Sequence, residues 1–458
     1  MRVPKSTVPG IVSPAIPGRM ASLLLSLLYQ LDQTQWLSAE ALFAEQARQL
    51  QLLFGHAAAT VPFYNRRFAE AGVDPAAVVT RETLNRLPIL RRSELQGAGD
   101  DINTTALPKS HGKTHEVETS GSTGRSVRLN GTEVTSVFWR ACVMREHLWQ
   151  GRDLGGKLAA IRWARKGIAM PPEGAHGESW GPASGAIYPT GPAVLLNIMS
   201  ELPEQVAWIH KEAPDYLISF PSNLVALAKH CIERDIRFES LKQVMAVGET
   251  VTDQARKLVR EAWGIPIKDS YSCEEAGYLT IQCPDHDVYH VQSESVFVEV
   301  VDDEGKACSP GEGGRVLITS LHNFATPLIR YELGDYAEVG APCACGRGLP
   351  VITRTLGRQR NRLILPDGSS VFPYLGDHGD YQAITSVVQR FQFIQRSLNE
   401  IEKLMVVSAP VTPKQEEHMR ALIVRNLGHP FNVTFTYVDE IPLSPRGKYE
   451  EFVSEVTG

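Results

Sequence analysis

The chain has 458 residues, too many for one hydrophobic core, which stops growing at about 250–300, so two or three domains are expected. Its 46 Lys and Arg against 52 Asp and Glu give a net charge of −6, which argues against nucleic-acid binding as the main activity. Hydrophobic residues make up 43% and seven cysteines are present, which describes a globular protein without a disulfide scaffold; the odd cysteine suits a reducing, cytoplasmic setting.

Residues 1–18 are rich in Pro, Ser and Gly and are expected to be disordered. The apolar run Ala21–Tyr29 falls short of the ~20 residues of a membrane span and carries no small-residue cleavage site, so it reads as a helix on the body of the protein. Residues 20–60 read as two helices, the second opening at Ser38, a candidate N-cap. Thr119-Ser120-Gly121-Ser122-Thr123-Gly124 then packs hydroxyls and glycines into one loop. Glycines allow close backbone approach, and successive N–H groups form an anion nest. No Walker lysine follows; Ser126–Leu129 alternates like a strand, and Asn130-Gly131 reads as a turn.

Residues 132–150 read as a helix, whose Trp139, Arg140, Arg145 and His147 could face a cleft, with packing and solvent charge the favoured reading. The Gly/Pro-rich stretch 167–191 has the texture of a functional loop. Apolar runs at 158–163, 216–220, 244–247 and 267–271 alternate with helices at 202–213, 222–234 (Ser222 as cap) and 252–263. That is the signature of a parallel, doubly wound region, which binds ligands beyond the carboxyl ends of its strands. Gly248-Glu249-Thr250 and Tyr271–Gly277 stand at two such ends. From Tyr289 the alternation becomes antiparallel, and from about residue 361 a smaller α+β unit follows.

Five stretches in this order resemble the motifs of the adenylate-forming superfamily, the acyl-CoA synthetases and adenylation domains: Thr119–Gly124, Gly248-Glu249, Tyr271–Glu275, Pro327–Tyr331 with Gly334-Asp335, and Gly357-Arg358. Within it the chain resembles the phenylacetate–CoA ligase branch and its CapK-like members. The element order and this resemblance imply an α/β fold. A large N-terminal domain over 19–358 would hold parallel-rich sheets and a distorted β-barrel subdomain at about 289–358, followed by a small mobile α+β lid domain over 361–458.

The resemblance implies ATP-dependent activation of a carboxylic acid as acyl-adenylate, with pyrophosphate release, then transfer to CoA or an amine. In that scheme Thr119, Ser120, Gly121, Ser122, Thr123 and Gly124 hold phosphates, and Gly248 and Glu249 flank the adenine. Tyr271 lies along the adenine, Asp335 accepts from the ribose hydroxyls, Arg358 assists at ribose or phosphate, and Glu275 helps hold Mg²⁺. Lys448, in Leu443–Lys448, supplies charge to the reacting carboxylate. Phe220, Ser222, Ala246, Val247, Cys273 and Ala276 flank the cleft strands and are the expected acyl-pocket lining; no further cation is placed there, which points to an aryl or largely apolar acid. Two other readings remain: AMP left on a hydroxyl acceptor, or a nucleotide-binding homologue without catalysis. Departures from the family pattern are the missing Gly-x-Pro-Lys loop ending, Ser272 in place of Gly, and a hinge near Arg360.

Cys343 and Cys345, with Cys283 and His290 upstream, offer a thiolate–imidazole set of the kind structural Zn²⁺ takes, and relatives in this branch can carry such a site. His286 is an alternative nitrogen ligand, and buried thiols beside surface histidines are the alternative without metal.

Overall fold

The structure is a computed structural model, and residues 3–118, 127–373, 375, 378–441 and 449–456 are described. The loop Thr119–Gly124 and Lys448 lie outside the described residues.

Residues 3–18 form no helix or strand, although Lys5 N–H donates to Ile187 O at 2.8 Å. Helix α1 (Arg19–Thr34) buries Ala21, Leu24, Leu28 and Leu31, a spacing that turns one face inward. Ser38 caps α2 (Ala39–Thr60), accepting from Ala41 N–H at 3.2 Å. Short helices α3 (Pro62–Glu70), α4 (Arg81–Arg86) and α5 (Arg92–Gly97) follow around a core that includes Tyr64, Leu84 and Leu90. Strands β1 (Thr114–Glu118) and β2 (Arg128–Thr132) pair antiparallel. Asn130 and Gly131, expected in a turn, lie inside β2 opposite Glu116 and His115. A Cβ on Gly131 would stand 2.6 Å from His115 Nε2, so the glycine admits the imidazole rather than bending the chain.

Helix α6 (Glu133–Trp149) leads into the wound region. In chain order it contains β3 (Leu158–Arg162), β4 (Ala175–Gly177), α7 (Ser184–Ile187), β5 (Ala193–Asn197) and α8 (Leu202–Glu212). Then come β6 (Tyr216–Ser219), α9 (Pro221–Glu233), β7 (Gln243–Ala246), α10 (Asp253–Trp263) and β8 (Ile267–Cys273). The strands β9 (Gly277–Gln282), β10 (Tyr289–Val291), β11 (Val296–Val301), β12 (Gly313–Ser320), β13 (Tyr331–Val339) and β14 (Val351–Arg358) complete one 12-stranded sheet. Its order is β11-β12-β13-β14-β10-β9-β8-β7-β6-β3-β5-β4.

The sheet changes character within β8. Val244 to Ala246 pair in parallel with Ile267 to Asp269, whereas Ser270 and Tyr271 pair antiparallel with Ile281 and Thr280. The antiparallel texture therefore begins at Ser270, ahead of the Tyr289 boundary read from the sequence, because β9 folds straight back on β8. Ser222 does not cap α9: Pro221, which has no N–H to satisfy, takes the first position, and Glu249 accepts from Ser222 N–H at 3.0 Å instead.

The C-terminal unit holds β15 (Leu363–Ile364), β16 (Ser370–Val371), α11 (His378–Ile384), β17 (Val388–Ser397), β18 (Glu400–Val407), α12 (Pro413–Leu427), β19 (Asn432–Tyr437) and β20 (Phe452–Ser454). Its main sheet runs β19-β18-β17-β20 over a core of Phe393, Ile401, Met405 and Met419. No described helix is long and apolar enough to cross a membrane.

Asp269 stands where β8 changes partners, accepting from Tyr289 OH at 2.9 Å. Burial raises its carboxyl to about 7, against the Tyr289 hydrogen bond and the Arg256 charge. A folded value above the unfolded one means a contribution that is complete below the unfolded pKa and lost as pH rises toward 7. Asp269→Asn, which keeps an acceptor for Tyr289, is expected to melt above the parent at about pH 8 and to lose that advantage at about pH 4. Equal differences at both pH values would count against a buried ionisation.

Candidate active site

Three side chains from β8, β13 and β14 meet. Tyr271 OH donates to Asp335 Oδ2 at 2.7 Å. Asp335 is the register partner of Arg358 across β13 and β14, and Arg358 Nε stands 3.4 Å from Asp335 Oδ1. Gly334 and Gly357, at φ 78° and 116°, each precede one of these residues, in a backbone region that L side chains rarely adopt. Burial, then the Asp335 charge, holds the Tyr271 hydroxyl well above its ordinary value, so it stays a donor. Arg330, from the same motif as Asp335, is structural: it is buried at φ 50°, 2.9 Å from Glu299, and donates to Leu87 O at 2.7 Å.

Glu275 follows on the turn from β8 to β9. Its carboxylate is nearly buried, with Arg92 at 3.9 Å. Burial pushes its carboxyl up; Arg92 opposes the shift and Asp335 adds to it. Beside it opens a cavity of about 730 Å³, lined by Glu275, Ala276 and Tyr278 on one side and by Trp180, Pro182 and Ala183 of the Gly/Pro-rich segment on another. Thr135, Phe138, Trp139 and Cys142 of α6 form a further wall. Their spacing of three, one and three residues is a helix face. The cleft face of α6 was therefore present as a period, and Trp139 and Arg140 line the cavity.

Arg145 and His147 point elsewhere. Arg145 donates to both carboxylate oxygens of Glu294 at 2.9 and 3.0 Å, to Gln292 at 2.9 Å and to Leu31 O at 2.7 Å. His147 Nδ1 accepts from Arg152 at 2.9 Å; Arg152 also donates to Glu146 at 2.8 Å, and Glu146 accepts from Tyr278 OH at 2.9 Å.

Of the expected pocket residues, Ala276 lines the cavity. Phe220 and Ala246 are buried in the core of the parallel half, and Val247 packs against that core. Helices α9 and α10 cover those strand ends, as the faces of parallel strands require. Cys273 packs against the antiparallel core, and burial pushes its thiol up. Ser222 OH donates to Glu249 Oε1 at 3.2 Å, and the same carboxylate accepts from Tyr449 N–H at 2.8 Å. Glu249, preceded by Gly248 at φ 79°, thus ties the N-terminus of α9 to the residue after Lys448.

A second cluster lies apart from the cavity. The ligand atoms of Cys283, His290, Cys343 and Cys345 all lie within 4.8 Å of one another. Cys283 Sγ is 3.9 Å from Cys343 Sγ, and Cys345 Sγ is 3.3 Å from His290 Nε2. His286, the alternative ligand, is not part of this group. Arg347 lies over the Trp36 and Trp149 rings at 5.0 and 4.6 Å beside it.

The CapK C-terminal domain matches residues 378–455. A phenylacetate–coenzyme A ligase of Thermus thermophilus is 29% identical over 84% of this chain and 85% of its own length. Another, from Pseudomonas putida, is 26% identical over 75% of this chain and 76% of its own. Over most of its length the chain is similar to phenylacetate–coenzyme A ligases, and its C-terminal unit to the CapK C-terminal domain. The structure of 2-hydroxyisobutyryl-CoA ligase in the postadenylation state, in complex with R3-HIB-AMP, superposes with a TM-score of 0.70 over 93% of this chain and 92% of that one. At 18% identity this likeness shows the fold. The Tyr271–Asp335–Arg358 cluster lies near Glu275, on the antiparallel side of the change in sheet direction within β8.

Arg145 holds one wall of the cavity through a buried ion pair. Arg145→Ala leaves the Glu294 carboxylate without that partner and is expected to cost about 3–5 kcal/mol, read as a lower urea midpoint. A loss below about 1 kcal/mol, the range of a surface pair, would contradict a buried role.

Proposed function

We propose that this protein activates an aryl carboxylic acid with ATP, releases pyrophosphate and passes the acyl group from acyl-AMP to the thiol of CoA. The observation that carries the reading is Tyr271, Asp335 and Arg358 gathered near Glu275, which itself lines the cavity. Its aromatic lining, Phe138, Trp139, Trp180 and Tyr278, suits a ring, and relatives sharing most of the chain are phenylacetate–CoA ligases.

In the first step a carboxylate oxygen attacks the α-phosphorus in line while the bond to the pyrophosphate oxygen breaks. Such a step needs positioning and charge stabilisation more than covalent help. Asp335 accepts from the ribose hydroxyls, with Tyr271 and Arg358 fixing its carboxylate. A hard divalent cation such as Mg²⁺, which neutralises phosphate charge when bound, fits Glu275: a nearly buried carboxylate whose Arg92 partner is 3.9 Å away. Thr119–Gly124 are assigned to the phosphates and Lys448 to the charge developing on the reacting carboxylate. ATP–pyrophosphate exchange against aryl, fatty and hydroxy acids should single out aryl acids, and Lys448→Ala should slow it by ~10²–10³. Exchange with no acid, or an unaffected Lys448→Ala enzyme, would sink the reading. Mass spectrometry should find acyl-CoA as product; an acceptor carrying AMP would replace it with adenylyl transfer.

Cys283, His290, Cys343 and Cys345 hold a structural zinc ion in the same proposal. Tetrahedral coordination with Zn–S near ~2.3 Å sets sulfurs about 3.8 Å apart, and Cys283 and Cys343 stand at 3.9 Å. Purified protein should contain about one zinc per chain, and Cys343→Ser should lose it and melt several degrees lower. Metal-free protein after chelator dialysis with an unchanged melting temperature would end the idea.

A further inference from the structure

We infer that His322 reads a hydrogen-bond donor on the acyl substrate, so that the preferred acid is a hydroxyl- or amino-substituted aryl acid rather than the bare ring. The inference rests on the acid-activating reading above and deepens it.

His322 follows β12 and lines the cavity with Phe138, on which its ring is stacked at 3.8 Å and 12°. Its Nε2 lies 2.9 Å from Glu294 O. A carbonyl can only accept, so the ring proton is on Nε2, and the neutral ring keeps Nδ1 as an acceptor. Burial holds the imidazole neutral, lowering it to about 4, with His111 adding to the shift. The ring is clamped from behind. Arg145 grips both Glu294 oxygens, Thr34 donates to Glu294 at 2.8 Å, and Arg145 also reaches Leu31 O of α1.

Several other polar atoms at this end are already engaged. Asn323 Oδ1 accepts from Ala325 and Thr326 N–H at 3.1 and 3.2 Å. Ser320 Oγ accepts from Leu328 N–H at 3.4 Å, and Ser295 Oγ lies 3.8 Å from Cys142 Sγ. A rigid, neutral acceptor beside an aromatic face suits a ring bearing an O–H or N–H. A site built to bond such a group discriminates against the analogue lacking it, because its own acceptor is then left dry. Sequence reading alone suggested an apolar pocket; His322 was not singled out because nothing in Leu321-His322-Asn323 announces a site.

The test is calorimetric binding of matched acids, phenylacetate and benzoate against their ring-hydroxylated and ring-aminated isomers, run beside pyrophosphate exchange. At least one substituted isomer should bind the parent protein about tenfold tighter than its unsubstituted match. His322→Phe should erase that ratio while keeping the bare acid, and His322→Gln, which retains an acceptor, should keep part of it. Matched pairs within about twofold of one another, or a ratio unmoved by His322→Phe, overturn the inference. Exchange without discrimination overturns it alone. Discrimination in binding without exchange overturns acid activation and leaves His322 as the reader of the donor. Absence of binding by any acid overturns both.

Discussion

Strand β8 has to satisfy two kinds of hydrogen bonding along seven residues, and the site depends on how it does so. Its first residues are held in a parallel ladder and its last in an antiparallel one. In the sheet order β13 is the fourth strand from β8, a separation of about 19 Å in a flat sheet at ~4.8 Å per strand. Yet Tyr271 OH on β8 reaches Asp335 on β13 at 2.7 Å. The antiparallel half must therefore coil on itself, which the bulges at Tyr271/Ser272, Tyr336/Ala337 and Glu338/Val339 favour by sharpening the local twist. The curl brings Tyr271 and Asp335 together from distant strands, with Glu275 nearby.

The cavity that Glu275 lines needs walls that hold their shape, and here buried charge supplies them. Arg152, Glu146 and Tyr278 link α6 to β9, while Arg145 and Glu294 link α6 to the chain ahead of β11. Each ion is costly to desolvate alone, so each is met by several hydrogen bonds in defined directions. One face of α6 thereby carries fixed charges into the protein, leaving the adjoining face to present Phe138 and Trp139 to the cavity. The orientation of His322 depends on the same framework, through Glu294.

The C-terminal unit meets the body through directional contacts. Tyr449 N–H donates to Glu249, Arg360 Nε donates to Glu450 at 3.0 Å, and Glu451 feels Lys229 of α9 and Lys403 of β18. Burial pushes the Glu451 carboxyl up, the two lysines opposing. The Tyr449 contact goes to the same Glu249 that caps α9, so the C-terminal unit and the wound region share one carboxylate.

Local order was legible in the amino-acid sequence because it is encoded over short spans. Ser38 as a cap, the inward stripe of α1, the alternation of β-runs with helices and the cysteine–histidine set each depend on spacing within one element or on side-chain chemistry alone. Tyr271, Glu275, Asp335 and Arg358 were named through the resemblance of their stretches to family motifs. Which strand ends stay open could not be read that way. Phe220, Ala246 and Val247 sit at strand ends like Tyr271, but α9 and α10 close over them, and coverage by a helix is a property of packing, not of spacing. Gly131 looked like a turn and serves as clearance for His115, a contact across strands. His322 became visible only through a carbonyl ahead of β11 and an arginine and an aromatic ring of α6. The curl of the sheet decided those neighbours.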